Sequence, residues 1–183
     1  MLAPPFGGVR RATLADVAEV ARLTARSHQE VGEALASGGG TETLSAPEIA
    51  LRLLEDLEDG SVLYVAERDG RIAGFAHVTG LMVGDGGHLV ELRQLYIVPD
   101  QRRCGIGRRL LRLVQQEVGQ RANSPMLRAW APAGSPAAAF LEMAGGTAVR
   151  PRWKVSAGDM AMRGVVFGWS GRRTAPVRGH PLA

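Results

Sequence analysis

The chain has a single cysteine, Cys104, in 183 residues, so no disulfide can form within it. A reducing cytoplasm is the plainest home for such a sequence. The four histidines (His28, His77, His88, His180) and Cys104 show no ligand spacing, and a structural zinc site takes four ligands, so no metal is expected. Aromatic residues are scarce at four Phe, three Trp and two Tyr, and no nucleic-acid reading motif is present. The basic balance is therefore not read as nucleic-acid binding. No segment approaches the roughly 18 unbroken apolar residues of a membrane span. The start, MLAPPFGGVRR, lacks the basic region and apolar run of a secretory signal. A cytoplasmic protein with neither membrane nor nucleic acid as partner is the expectation.

What is present is unevenly placed. The net charge of +4 conceals an acidic stretch, Gln29 to Gly60, with eight acids and one base, and a basic one from Asp100 onward, with fourteen bases and four acids. One reading is solvated faces in an arginine-rich protein. The other is a basic side for an anion and an acidic side facing something cationic.

The densest information lies in Glu91 to Leu111, ELRQLYIVPDQRRCGIGRRLL. An apolar strand over Leu92 to Val98 meets Pro99, which has no N–H to donate and ends pairing. A basic turn punctuated by Gly105 and Gly107 follows. It opens into a helix whose apolar stripe includes Ile106, Leu110, Leu113, Val114 and Val118. The first N–H groups of a helix have no partner inside it, and the macrodipole favours negative charge there. Glycines let the backbone approach a phosphate closely, and arginines add charge and forked donors. A phosphate-bearing ligand is the expectation.

Elsewhere the pattern sets out a single domain. A first strand over Val9 to Ala12 precedes Thr13, which with Asp16 starts a helix running to about Leu35. Ser37-Gly-Gly-Gly40 breaks it, and Ser45-Ala-Pro-Glu48 caps a second helix carrying Ile49, Leu53 and Leu57 on one face and ending at Gly60. Ser61 to Glu67 and Arg71 to Thr79 form strands joined by Arg68-Asp69-Gly70, a hairpin turn. Gly84 to Gly87 turns the chain into Leu89 to Val98. After the glycine-turn helix come a strand over Pro125 to Ala131, a short helix over Ala137 to Ala144, and a closing strand pair, Thr147 to Val155 and Met160 to Trp169. Residues 1–170 form the domain and Gly171 to Ala183 a flexible tail. The order βααβββαβαββ is α+β, a mixed α/β fold.

Arg102-x-x-Gly105-x-Gly107, placed after Leu95-Tyr96-Ile97-Val98-Pro99, resembles the cofactor turn of the GNAT superfamily of acyl-CoA-dependent N-acyltransferases. The element order from Val9 to Trp169 agrees with that resemblance. A dinucleotide-binding turn would need a third glycine at position 110, which is Leu. The resemblance implies a mostly antiparallel sheet of about seven strands flanked by four helices, with the fourth and fifth strands splayed into a cofactor slot. It implies acetyl-CoA as co-substrate, its pyrophosphate wrapped by the backbone N–H groups of Arg103, Cys104, Gly105, Ile106, Gly107 and Arg108, with Arg102 also among the cofactor-binding residues. Leu95, Tyr96 and Ile97 would offer main-chain groups to the pantetheine arm. An N–H near Leu95 or Tyr96 would face the thioester oxygen.

The implied reaction is acetyl transfer to an amine by direct attack on the thioester. The amine must be neutral to attack, so a base is useful. Glu91 stands where several family members keep a catalytic glutamate; its alternative role is a surface ion pair, for instance with Arg93. His77 and His88 are the other candidate bases. The family's thiolate-protonating tyrosine aligns with Leu141 and its asparagine with Gly134, leaving water, Ser135 or Cys104 to serve. That departure keeps a non-catalytic acyl-CoA-binding or regulatory protein as the alternative. The acidic segment with Glu30, Glu33, Glu42 and Glu48 suggests a cationic small-molecule or peptide amine as acceptor. The closing strands and exposed helix faces could support a homodimer.

Overall fold

The computed structural model describes residues 6–34, 44–83, 87–120, 126–157 and 160–169. Its strands are β1 (Phe6–Arg11), β2 (Val62–Arg68), β3 (Arg71–Val83), β4 (Gly87–Ile97), β5 (Met126–Pro132), β6 (Thr147–Ala157) and β7 (Met160–Trp169). Its α-helices are α1 (Val17–Ala34), α2 (Ala46–Glu58), α3 (Ile106–Gln120) and α4 (Pro136–Met143). The strands make one sheet in the order β1-β2-β3-β4-β5-β7-β6. Every neighbouring pair is antiparallel except β4 and β5. The expected Ser37–Gly40 break, most of the Gly84–Gly87 turn and the tail lie outside the described residues.

Local chemistry explains the elements. Asp69 (φ 54°) and Gly70 (φ 71°) both adopt left-handed conformations, the backbone of a tight hairpin, and join β2 to β3. The Asp16 carboxylate accepts from the Thr13 N–H at 2.7 Å and its hydroxyl at 2.9 Å, starting the first helical segment. Glu48 does the same for Ser45 at the start of α2, at 2.8 and 2.6 Å. Asp16 is also gripped by Arg10 at 2.8 and 3.0 Å, and Arg10 binds Glu67. Those Arg10 bonds, ahead of the Thr13 contacts, hold the Asp16 carboxyl well below the usual carboxylate range.

Asp16→Asn should cost about 1–2 kcal/mol, the scale of a lost helix cap, measurable by urea titration at pH 7. Because the folded-state value is depressed, this stabilisation is complete above the unfolded carboxylate range near 4 and is lost as pH falls through the folded value. The gap between wild type and variant should therefore narrow below about pH 4. A constant gap from pH 7 to pH 2 would contradict the linkage.

The sheet separates two apolar clusters. Val62, Tyr64, Ala66, Val78, Val90, Leu92, Leu127, Ala129 and Ala131 face α3 and α4. Leu63, Val65, Phe75 and Tyr96 face α1 and α2, against Val20, Leu23, Ile49 and Leu53. The stripe of α3 buries Ile106, Leu110, Val114 and Val118 as the spacing predicts, and also Leu111, while Leu113 is half-buried. Leu111 is drawn in because α3 lies across the sheet and needs a face broader than a single stripe.

Candidate active site

The parallel pairing of β4 with β5 runs Leu89↔Met126, Val90↔Leu127, Glu91↔Arg128 and Leu92↔Ala129, then stops. Both strands continue, β4 to Ile97 and β5 to Pro132, without pairing to each other. The cause is visible on the other side of β4. Register to β3 slips between His77↔Gln94 and Val78↔Leu92, leaving Arg93 as the extra residue of a bulge. A bulge bends and twists its strand, and this one falls where the two strands part.

Val98 donates to the Ala73 carbonyl at 3.0 Å. The alternation of an antiparallel ladder then turns the main-chain groups of Tyr96 toward Phe75 and those of Leu95 and Ile97 away from β3. Of the three residues expected to line the cofactor arm, Leu95 and Ile97 turn their main-chain groups to the open side and Tyr96 turns its own to β3. Its phenol donates instead to Glu30 of α1 at 2.7 Å. Burial, then that hydrogen bond, pushes the Tyr96 hydroxyl up to about 12.

The turn after β4 is held from outside. Arg102 donates through Nε to the Ile97 carbonyl at 3.0 Å, pairs through Nη2 with Glu30, and stacks on Tyr96 with its charge 5.7 Å from the ring centre. The Arg102 N–H is spent on Pro99. This guanidinium fastens the turn to α1 and β4. Arg103 (φ 66°) and Gly105 (φ 80°) then take left-handed conformations. Among the described residues the backbone N–H groups of Arg103 through Arg108 donate to no protein acceptor, the first bond being Arg109 N–H to the Gly105 carbonyl at 3.1 Å. A Cβ placed on Gly105 would meet nothing within 4 Å, so conformation alone demands glycine there. A Cβ on Gly107 would lie 3.4 Å from the Phe140 ring and 3.7 Å from Ile97, so α4 and β4 together seat the first turn of α3. These free donors at a helix start suit a phosphate.

Glu91 alternates with Val90 and Leu92, which face α3, and so lies on the α1/α2 face, half-buried. Arg93 does not pair with it: Arg93 reaches Asp56 of α2 at 3.3 Å. His77 shares that face, with Nε2 3.7 Å from Asp56, and burial lowers its basicity. It is therefore neutral near pH 7 and enclosed. The His88 side chain lies outside the described residues.

Leu141 is packed in the core, 5% exposed, so no proton donor occupies the aligned tyrosine position. Gly134 (φ 74°) precedes Ser135, whose hydroxyl oxygen accepts from the Ala138 N–H at 3.1 Å to cap α4. Of the four acids considered for a cationic acceptor, Glu30 is tied to Tyr96, Arg102 and Arg26, and Glu48 caps α2. The Glu33 and Glu42 side chains lie outside the described residues.

Sequence reasoning missed the residues that surround Glu91 across the sheet. Thr79 of β3 and Arg128 of β5 are its register neighbours. Leu127, Ala129 and Ala131 point to α3 and α4, so Arg128 and Trp130 point to the Glu91 face. Alternation in β5 was legible; the register that brings it to Glu91 was not. The Trp130 indole lies flat over Gly164 of β7, where a Cβ would come within 1.7 Å of its Nε1. Gly164→Ala should thus displace the indole and cost about 1–3 kcal/mol, seen as a lower melting temperature and altered tryptophan emission. An unchanged emission spectrum would contradict this packing.

Fold and site together define an α/β protein with a parted parallel strand pair and, after β4, a glycine turn whose N–H groups meet no acceptor among the described residues. The chain belongs to the acetyltransferase (GNAT) family, whose model matches residues 32–145, and it is an acyltransferase of that family. Among solved structures it is similar to the ribosomal-protein-alanine N-acetyltransferase of Brucella melitensis, with 23% identity over 88% of this chain and 98% of that one, at a TM-score of 0.71. It is similar to yncA of Salmonella typhimurium, solved with its cofactor acetyl-CoA, at 17% identity, 91% and 95% coverage and TM-score 0.70. The phosphinothricin acetyltransferase of Sinorhizobium meliloti, in complex with acetyl-CoA, shares 21% identity over 93% of each chain at TM-score 0.68. These likenesses show a common fold. No match was found among curated proteins. No helix among the described residues is long and apolar enough to cross a membrane.

Proposed function

We propose that the protein is an N-acetyltransferase that moves the acetyl group of acetyl-CoA to an amine. The observation carrying this reading is the run of N–H groups from Arg103 to Arg108, without an acceptor among the described residues, in the turn that follows the unpaired half of β4. Those donors suit a pyrophosphate, with Arg103, Cys104, Gly105, Ile106, Gly107 and Arg108 as its binding residues and Arg102 as the residue that fastens the turn. The relatives solved with acetyl-CoA support the same donor. Acetyl-CoA supplies the activated acetyl group. Leu95 and Ile97 offer main-chain groups on the open side, and a Leu95 N–H aimed at the thioester oxygen would favour attack by about 2.7–4 kcal/mol.

In this reading Glu91 accepts the proton of the amine, directly or through water, at the end of the parallel pairing. Two acids once considered for a cationic acceptor, Glu30 and Glu48, are engaged within the protein, which weakens the case for a cationic substrate. A second reading, a non-catalytic acyl-CoA-binding protein, is favoured by one observation, the buried Leu141 at the proton-donor position. Thiol release from acetyl-CoA across a panel of amines separates the two. Turnover on any amine supports the enzyme; tight acetyl-CoA binding without turnover on all of them supports the binder.

A further inference from the structure

Two strands, β3 and β5, bring unpartnered polar atoms to the face of the sheet that carries Glu91. Thr79 Oγ1, Arg128 Nε and Trp130 Nε1 are all buried from solvent and have no hydrogen-bond partner among the described residues. Thr79 is itself 8% exposed. Thr79 and Arg128 are the two register neighbours of Glu91, whereas Trp130, two residues beyond Arg128, turns its Nε1 over Gly164 of β7, away from β4. Paired strands run about 4.8 Å apart, so Glu91 and Arg128 have adjacent backbones. Nonetheless they form no ion pair with each other or with any described residue.

Glu91 and Arg128, side by side, form a site of two halves. A carboxylate accepts only, so it matches the donors of Arg128, whose planar guanidinium binds it through a fork. An ammonium donates only, so it matches Glu91. A second cation on the acceptor would face Arg128 and be repelled. We propose that the acceptor is an α-amino acid, its amine held at Glu91 and its carboxylate at Arg128. This assignment rests on the reading of Glu91 as the amine-facing residue of an acetylation site. It makes Arg128 a specificity-determining residue that binds substrate and takes no proton.

The test uses the full chain, the twenty common L-amino acids, their amides and the amines left by removing the carboxyl group. Thiol release should favour acids over matched amides and amines by about 10- to 100-fold in kcat/KM, the scale of a charge-assisted hydrogen bond. Arg128→Gln should raise KM for the acid by a similar factor, leave kcat within a few-fold and erase the preference, while Arg128→Lys restores part of it. An unchanged rise in melting temperature with acetyl-CoA shows that the variant is folded. Calorimetric titration of amino acids into CoA-saturated protein supplies a readout independent of turnover. Amino-acid binding lost in Arg128→Gln, without turnover, would retain the site while refuting the enzyme. Equal or better turnover of amides or decarboxylated amines would overturn the α-amino-acid assignment and leave acetyl transfer intact. Neither turnover nor binding of any amino acid would also overturn it.

Discussion

In Gly105→Glu, acetyl-CoA is expected to lose its effect on thermal stability. For the wild-type protein, ligand at 100-fold above Kd adds about 2.7 kcal/mol, which is about 5–10 °C in melting temperature for a chain of this size. Gly105 has φ 80°, and a side chain there strains the backbone by about 1–2 kcal/mol. Strain alone lowers stability with and without ligand. The carboxylate adds the specific effect, because it sets a negative charge among the N–H groups of Arg103 to Arg108, which meet no acceptor among the described residues. Two companions separate these terms. Gly105→Ala carries the strain without the charge and should retain part of the ligand effect. Gly107→Ala, whose Cβ would make only an ordinary 3.4 Å contact with Phe140, should retain nearly all of it. A Gly105→Glu protein stabilised as fully as wild type would remove the turn from the donor site.

Glu91→Gln should lower kcat/KM by about 10²–10⁴-fold while leaving the acetyl-CoA melting shift unchanged. The substitution preserves size and removes the negative charge and with it the ability to take a proton. Alternative bases near this position are poorly suited: His77 is enclosed beneath α2 with its basicity lowered by burial, and Tyr96 donates to Glu30. Arg93, a plausible partner by sequence, is held by Asp56 and leaves the Glu91 carboxylate unpaired by it. The variant should regain rate as pH rises toward the acceptor amine's own range, since hydroxide and solvent then supply the neutral amine. Stopped assays of thiol release from pH 6 to pH 10 read both effects. A loss smaller than threefold at pH 7 would mean that Glu91 carries no proton in the rate-limiting step.

Much of the architecture could be read locally. Asp69-Gly70 encodes its hairpin because both residues tolerate left-handed backbone, and the two carboxylate caps sit three residues beyond Thr13 and Ser45. The amphipathic period of α3 and the proline after β4 delimit the anion turn for equally local reasons. Boundaries moved by a few residues where pairing partners extended a strand, as in β3, which runs to Val83 beyond the expected Thr79. The roles of single charged residues were much less legible. Arg102 reads as a phosphate ligand in the motif, yet its guanidinium lies between Ile97, Glu30 and Tyr96. Glu30 reads as part of an acidic surface, yet it joins α1 to that turn across 72 positions of chain.

By itself the sequence determined the elements, the glycine turn with its free donors and the presence of a carboxylate at position 91, because each depends on near neighbours and backbone conformation. Only the tertiary structure decided what faces that carboxylate. The Arg93 bulge ends the β4–β5 pairing one residue past Glu91, and the parallel register sets Arg128 beside it while Trp130 rests on Gly164. Shifting β5 by one residue would exchange those side chains for Leu127 and Ala129 on the same face. Register between strands distant in sequence is set by the packing of both sheet faces, so no local pattern carries it.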